Sequence, residues 1–244
     1  MRGMLAIYQR EILILKKRFF RQLASMSVSP ILYLTAFGLG MGKGVQVNGH
    51  SYLEFLIPGL VAMNSMIQAF AIASEINIAR FYWHVFEEFQ AAPIRNIAYV
   101  TGEVLAGITR AIFSVVIILV IALLSGISLS YNLYFWLAVV LNSFVFASLA
   151  VGLAMLVKSH SDQALLTNFF ITPMAFLGGT FFPVDRMPEW VQQILHFLPL
   201  THASRAIRAA AFNEPADPFS YAILAVLGAI LFVLAFHWVN RARE

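Results

Sequence analysis

The sequence predicts an all-α integral membrane protein. It should have six transmembrane helices, an N-terminal interfacial helix before them, a short cytoplasmic helix between the second and third spans, and two short re-entrant helices on the outer side. Three observations predict this. Of 244 residues, 60% are apolar and only 11% are charged, against about 25% charged in an ordinary soluble domain. A single soluble core of this length cannot hide so much apolar surface, so part of its solvent must be hydrocarbon. Six apolar segments each approach the roughly 20 residues that a helix needs to cross a bilayer. Lys and Arg are unequally shared between the two sets of connecting segments.

The same composition excludes several classes. A soluble enzyme and a disordered chain do not fit it. The chain has no Cys, so disulfides, thiolate chemistry and Cys-ligated zinc are excluded. The formal net charge of +4 sits in clusters at the membrane edges, which suits anionic lipid rather than nucleic acid.

Residues 1–24 form the first unit. Six cations precede the first long apolar run, so this stretch does not read as a cleavable signal. On a helical wheel Leu5, Tyr8, Ile12, Leu15 and Phe19 fall within about 80° of one another, with Arg10, Lys17 and Arg21 opposite. This is the pattern of a helix lying in the interface, apolar face down. An ordinary amphipathic helix packed on protein has the same pattern.

Residues 25–244 form the membrane domain. The expected spans are 25–42, 55–79, 101–124, 135–157, 164–182 and 219–239. Pro30 softens the limits of the first. An even number of spans puts both termini on one side. With that side inside, the cytoplasmic segments hold Arg2, Arg10, Lys16, Lys17, Arg18, Arg21, Arg80, Arg95, Lys158, Arg241 and Arg243. The outer segments hold only Lys43, Arg186, Arg205 and Arg208. The bias therefore favours cytoplasmic termini. The cytoplasmic stretch 80–100 is long enough for a short helix. The outer stretch 183–218 is far from polar: Pro188 suits a helix start, Pro199 is expected to end that helix, and 201–212 can form a second. Both pieces are too short to span, which suits re-entrant or interfacial helices.

A search for chemistry mostly excludes it. The glycine run GLGMGKG at 38–44 fails the phosphate-loop pattern, because Lys43 is followed by Gly44 rather than Ser or Thr and Phe37 stands where the first glycine should be. Close approach of helices explains the run better. No ATP-binding motif is present, and the six histidines show no metal-ligand spacing. The intramembrane polar residues carry more information. In the second span Asn64, Gln68 and Glu75 fall within about 40° of one another, and in the fifth Asn168 and Thr172 share a face. Such stripes avoid lipid, so they face protein or a watery cavity. They serve either as interhelical hydrogen bonds or as a substrate pathway. Arg110 lies on the third span, seven residues after Glu103, and needs a partner there, for which Glu75 or Glu103 is the candidate.

Several of these segments resemble a known family. FLIPGLVAMNSMIQAF (55–70), FEEFQAAPIRNIAYVTGEVLAGITRA (86–111) and LGGTFFPVDRMPEWVQQILHFLPLTHASRAIRA (177–209) are similar to the second span, the coupling segment with the third span, and the outer re-entrant region of ABC-2 type transporter permeases. The branch they most resemble exports nodulation factors (lipo-oligosaccharides), with relatives in drug and polysaccharide efflux. The resemblance implies a half-transporter in the bacterial cytoplasmic (inner) membrane, pairing with a second copy as a homodimer. It implies two copies of a separate ABC ATPase subunit, which would hold ATP and Mg while this chain binds no cofactor. The coupling segment, about 80–98, would dock on that ATPase through Glu87, Glu88, Phe89, Pro93 and Arg95. Cargo, an amphipathic drug, glycolipid or polysaccharide, would pass between the second and fifth spans of the two copies, near Asn64, Gln68, Asn168 and Thr172.

Two other readings stand beside this one. A stand-alone ion- or proton-coupled carrier would show inverted repeats and helices broken at mid-membrane. A membrane-embedded lipid enzyme would show His, Asp or Ser converging at one depth. Neither signature is evident.

Overall fold

The computed structural model describes residues 2–41, 44–83, 88, 92 and 94–242. Among these the chain is helical throughout, apart from loops and one two-stranded hairpin. The helices are α1 (Arg2–Lys17), α2 (Phe19–Tyr33), α3 (Tyr52–Phe70), α4 (Ile72–Phe81), α5 (Asn96–Leu124), α6 (Leu133–Leu156), α7 (His160–Leu166), α8 (Thr172–Leu177), α9 (Glu189–Leu195), α10 (Pro199–Ala211) and α11 (Pro218–Arg241).

Four stretches are long and apolar enough to cross a membrane: Tyr52–Phe81, Asn96–Leu124, Leu133–Leu156 and Pro218–Arg241. They coincide with the second, third, fourth and sixth expected spans. The first and fifth differ in character. Each is helical but interrupted by a π-helical stretch, Leu34–Met41 after α2 and Thr167–Ile171 between α7 and α8. Proline accounts for the second: Pro173, in the first turn of α8, lacks the N–H that would bond back one turn, so the ladder just before it reorganises. Pro30 lies inside regular α2, before the first π-helical stretch. The Thr172 hydroxyl donates to the Thr167 carbonyl at 3.2 Å, five residues back, which is the spacing of a π turn.

α3 is the centre of the bundle. Of the most apolar window of Tyr52–Phe81, which α3 opens, 83% is buried, against 22% for α11 at the periphery. α3 packs against α5, α6 and α10, and α11 leans on α6. The α3–α5–α6 junction depends on Gly107, where a Cβ would stand 2.9 Å from Ala147 Cβ and 3.1 Å from the Ala69 carbonyl oxygen. Polar bonds add to this packing: the buried Asn142 amide on α6 donates to the Ala62 carbonyl at 3.0 Å and to Ser65 Oγ at 2.8 Å on α3.

Before α3 the chain makes a hairpin, β1 (Gln46–Val47) against β2 (His50–Ser51). Asn48 and Gly49 both have positive φ, 52° and 82°, as a two-residue type I′ turn requires. Ser51 and Glu54 then close a capping box over the first turn of α3.

Pro199 does not end a helix as the sequence suggested. α9 ends at Leu195, and Pro199 opens α10 from its first turn, where a missing N–H costs nothing. α10 is sunk into the bundle, with Leu200, Ala203, Ala206 and Ile207 buried.

Candidate functional site

A cluster of charges joins α1, α4 and α5. Arg110 Nη1 on α5 stands 3.2 Å from Glu75 Oε1 on α4, with side chains 11% and 12% exposed. Glu103 lies two turns earlier on α5 and is buried, but it makes no ion pair with Arg110. It sits within electrostatic reach of Glu11, Arg10 and Glu75. Glu11 comes from α1 and is itself buried, 2.6 Å from Arg10 Nη2. Burial pushes the Glu11 carboxyl above its ordinary range; the Arg10 guanidinium pulls it back, and Glu75 pushes it further up.

α1 reaches this cluster because Ile7 packs where α5 carries Gly102, whose added Cβ would come within 2.9 Å of Ile7 Cγ2. Tyr8 OH also meets Thr109 Oγ1 at 3.0 Å. Leu5 and Phe19 remain exposed on the flank of the N-terminal region. The helical wheel put Arg10 on the water side and gave Glu11 no role. The available signal was that Glu11 is the only carboxylate before Glu54.

The polar stripes are not brought together within one chain. Asn64 is buried and donates to the Leu60 carbonyl of its own helix at 3.0 Å. Gln68 is half-buried on the same helix. Asn168 and Thr172 are exposed on the surface of the π-containing segment, beside exposed Phe169 and Phe170. The interhelical amide that fastens α3 is Asn142, which lies outside both polar stripes.

Of the residues expected at an ATPase contact, Glu87, Phe89 and Pro93 lie outside the described residues. Glu88 is exposed, and Arg95 is exposed at the N-cap of α5. The helices that flank this segment are clamped by polar contacts. On α4 the Arg80 guanidinium donates to the Ala154 carbonyl of α6, and the buried Asn77 amide donates to Gln163 Oε1 of α7 at 3.1 Å. At the start of α5, Asn96 Nδ2 donates to Asn240 Oδ1 of α11 at 2.6 Å.

The chain between α8 and α9 packs over the start of α3. Gly59 of α3 lets it approach, since a Cβ there would be 2.4 Å from the Thr180 carbonyl oxygen. Tyr52 OH donates to the Phe181 carbonyl at 2.9 Å, and Ser204 Oγ to the Gly178 carbonyl at 2.6 Å. Arg208 of α10 donates through Nη2 to the Gly179 carbonyl at 2.8 Å, its guanidinium lying 3.9 Å from the Phe55 ring centroid. Burial lowers the Arg208 pKa to about 10, against the opposing pull of Asp185 and Glu214. Among the described residues no group of His, Asp and Glu converges as a metal ion would need.

The arrangement is that of a helical membrane body with a polar anchor for its N-terminal helix, α4 and α5 tied to their neighbours at the ends that flank residues 84–93, and a cap over the start of α3. The family model of the ABC-2 type transporter matches residues 2–212. Nodulation protein J of Rhizobium leguminosarum bv. viciae is 32% identical over 216 residues, covering 86% of this chain and 83% of that protein. Nodulation protein J of Sinorhizobium fredii (strain NBRC 101917 / NGR234) is 29% identical over 214 residues, with 86% and 82% covered. The inner membrane transport permease YadH of Escherichia coli (strain K12) is 25% identical over 238 residues, with 93% and 91% covered.

Proposed function

This chain belongs to the ABC-2 type transporter family, and from that premise we propose that it is the permease half of an ATP-driven exporter in the bacterial cytoplasmic membrane. Two copies pair, and each engages a separate ABC ATPase subunit. That subunit holds ATP and Mg, and this chain supplies the route. The cargo is an amphipathic molecule (drug, glycolipid or polysaccharide) moved outward. The excess of Lys and Arg in one set of connecting segments supports cytoplasmic termini, and the inner-membrane relative supports the location.

The observation that carries the reading is the clamping of the helices that flank residues 84–93. A partner that hydrolyses ATP in water must deliver its work through a cytoplasmic element that does not flex away from the spans. Arg80, Asn77 and Asn96 tie the flanks of that element to α6, α7 and α11. ATP on the partner then biases a two-state membrane body. The exposed face of Asn168, Phe169, Phe170 and Thr172 is available to a second copy across the pathway.

The test is charge reversal of the acidic pair, Glu87→Lys with Glu88→Lys, in the complex with its ATPase reconstituted into vesicles. ATP hydrolysis should continue while ATP-driven export falls at least about tenfold, because the docking surface would lose its charge complementarity. Export by the permease alone, without an ATPase, would instead establish a stand-alone carrier.

A further inference from the structure

Two guanidiniums and two carboxylates line one small cavity at the closed outer end. The cavity holds about 150 Å³. Arg205 and Arg208 enter it from α10, three residues apart and so on one face of the helix. Asp185 enters from the turn Val184–Arg186, and Glu214 from the loop after α10. Neither guanidinium forms an ion pair with either carboxylate.

The charges are ordered by depth. Arg208 is the floor: the Gly179 carbonyl and the Phe55 ring hold its guanidinium in one place. Two further donors on this side, Arg208 Nε and Thr201 Oγ1, have no partner in the fold, and Thr201 is 2% exposed. Asp185 and Glu214 are exposed at the mouth. A plain anion entering would meet two carboxylates first. A plain cation would come to rest against a fixed guanidinium. A group with an anionic inner end and a cationic outer end meets neither penalty. The net charge of the four residues is zero, and Asp217 lies within the field of Arg205, so nothing in the site favours a ligand with a large net negative charge.

We propose that this cavity binds a phosphate–ammonium zwitterion of the phosphoethanolamine type, its phosphate inward on Arg205 and Arg208 and its ammonium outward between Asp185 and Glu214. Guanidinium is suited to the inner end, because its planar fork takes phosphate oxygens in pairs. The volume suits a headgroup and not a whole lipid, since sites for drug-sized molecules start at roughly 300 Å³. The headgroup of a membrane lipid and a free solute share this chemistry. The side of the membrane on which the cavity opens rests on the orientation proposed above; binding to purified protein does not, so the two can fail separately.

The experiment uses the full chain in nanodiscs of phosphatidylglycerol, which carries no ammonium group. Glycerophosphoethanolamine, glycerol phosphate, ethanolamine and glycine are titrated by calorimetry. Glycerophosphoethanolamine should saturate one site per chain and bind at least about tenfold more tightly than the other three, as charge-assisted hydrogen bonds at both ends require. Arg205→Gln should abolish binding. Asp185→Asn with Glu214→Gln removes the two carboxylates that act on the buried Arg208 guanidinium, so its melting temperature is measured beside its binding; it should bring glycerol phosphate level with the zwitterion. In nanodiscs of phosphatidylethanolamine, weakened binding of the soluble probe identifies the lipid headgroup as occupant, and unchanged binding identifies a free solute. Equal affinity for glycerol phosphate and glycerophosphoethanolamine in the wild type, or selectivity that survives the double substitution, would overturn the proposal.

Discussion

Arg110→Met should be among the most damaging single changes in the bundle, and Glu75→Gln should largely repair it. The two charges lie 3.2 Å apart with side chains 11% and 12% exposed. At an effective dielectric of about 20, their attraction is about 5 kcal/mol. Removing one partner leaves the other charge buried without compensation, and such losses run at about 3–5 kcal/mol. Here the loss is aggravated, because Glu11 also lies within the field of Arg110 and would lose part of its counter-charge. Replacing both residues with neutral side chains removes the attraction and the desolvation cost together, so the double variant should approach the wild type. The assay is a double-mutant cycle read as apparent melting temperature in nanodiscs. Arg110→Met should fall by on the order of 10 °C, taking about 2–4 °C per kcal/mol for a chain of this size. The coupling energy between the two sites should be about 3 kcal/mol or more. Additive losses, with the double variant worse than either single one, would refute the reasoning and make the pair an incidental contact.

Other expectations follow from single residues. Burial raises the Glu11 pKa above its ordinary 4.5, so between the ordinary and the raised value the folded chain binds more protons than the unfolded one. Stability should therefore be undiminished below that ordinary value and fall as pH rises through the raised one. Glu11→Gln should remove this slope, and a melting-temperature difference between the two that stays constant from pH about 4 to 7 would count against it. Gly59→Ala places a methyl 2.4 Å from the Thr180 carbonyl oxygen and should cost about 1–3 kcal/mol as the outer cap shifts; an unchanged melting temperature would show that the cap yields freely. Asn64→Leu should lower thermal stability, because a buried, bonded amide is replaced. Asn168→Leu, exposed and unbonded within the chain, should leave stability alone and change the ranking of exported compounds. Uniform loss of export that tracks lost stability in both variants would defeat a pathway role for Asn168.

Some features that the structure makes plain were already visible in the residues. The Asn48–Gly49 pair and the Ser51–Glu54 spacing are a hairpin turn and a capping box by residue chemistry alone, although hydropathy marks no element there. The partner of Arg110 was also partly legible. Glu103 lies seven residues away, about 10 Å along the helix, whereas direct contact on a helix surface needs three or four. A residue on a neighbouring helix was therefore the better candidate, and the structure places Glu75 there.

What the sequence determined by itself is the class of solvent and the positions of the long helices. Hydropathy is a local property, and a window of about 20 apolar residues states its own environment. Hence the all-α membrane body and four of its spans could be located without any tertiary information. The two π-containing segments were located but not characterised, because hydropathy states the surroundings of a helix and not the hydrogen-bond spacing inside it. Only the tertiary structure decided which faces meet. Ile7 faces Gly102, Asn142 reaches across to Ala62 and Ser65, and Arg205 and Arg208 share a cavity with residues from two separate loops. In each case the partner lies dozens of residues away along the chain or in a different element. No periodicity within one helix specifies which neighbour covers it; that choice comes from the summed packing of the whole bundle.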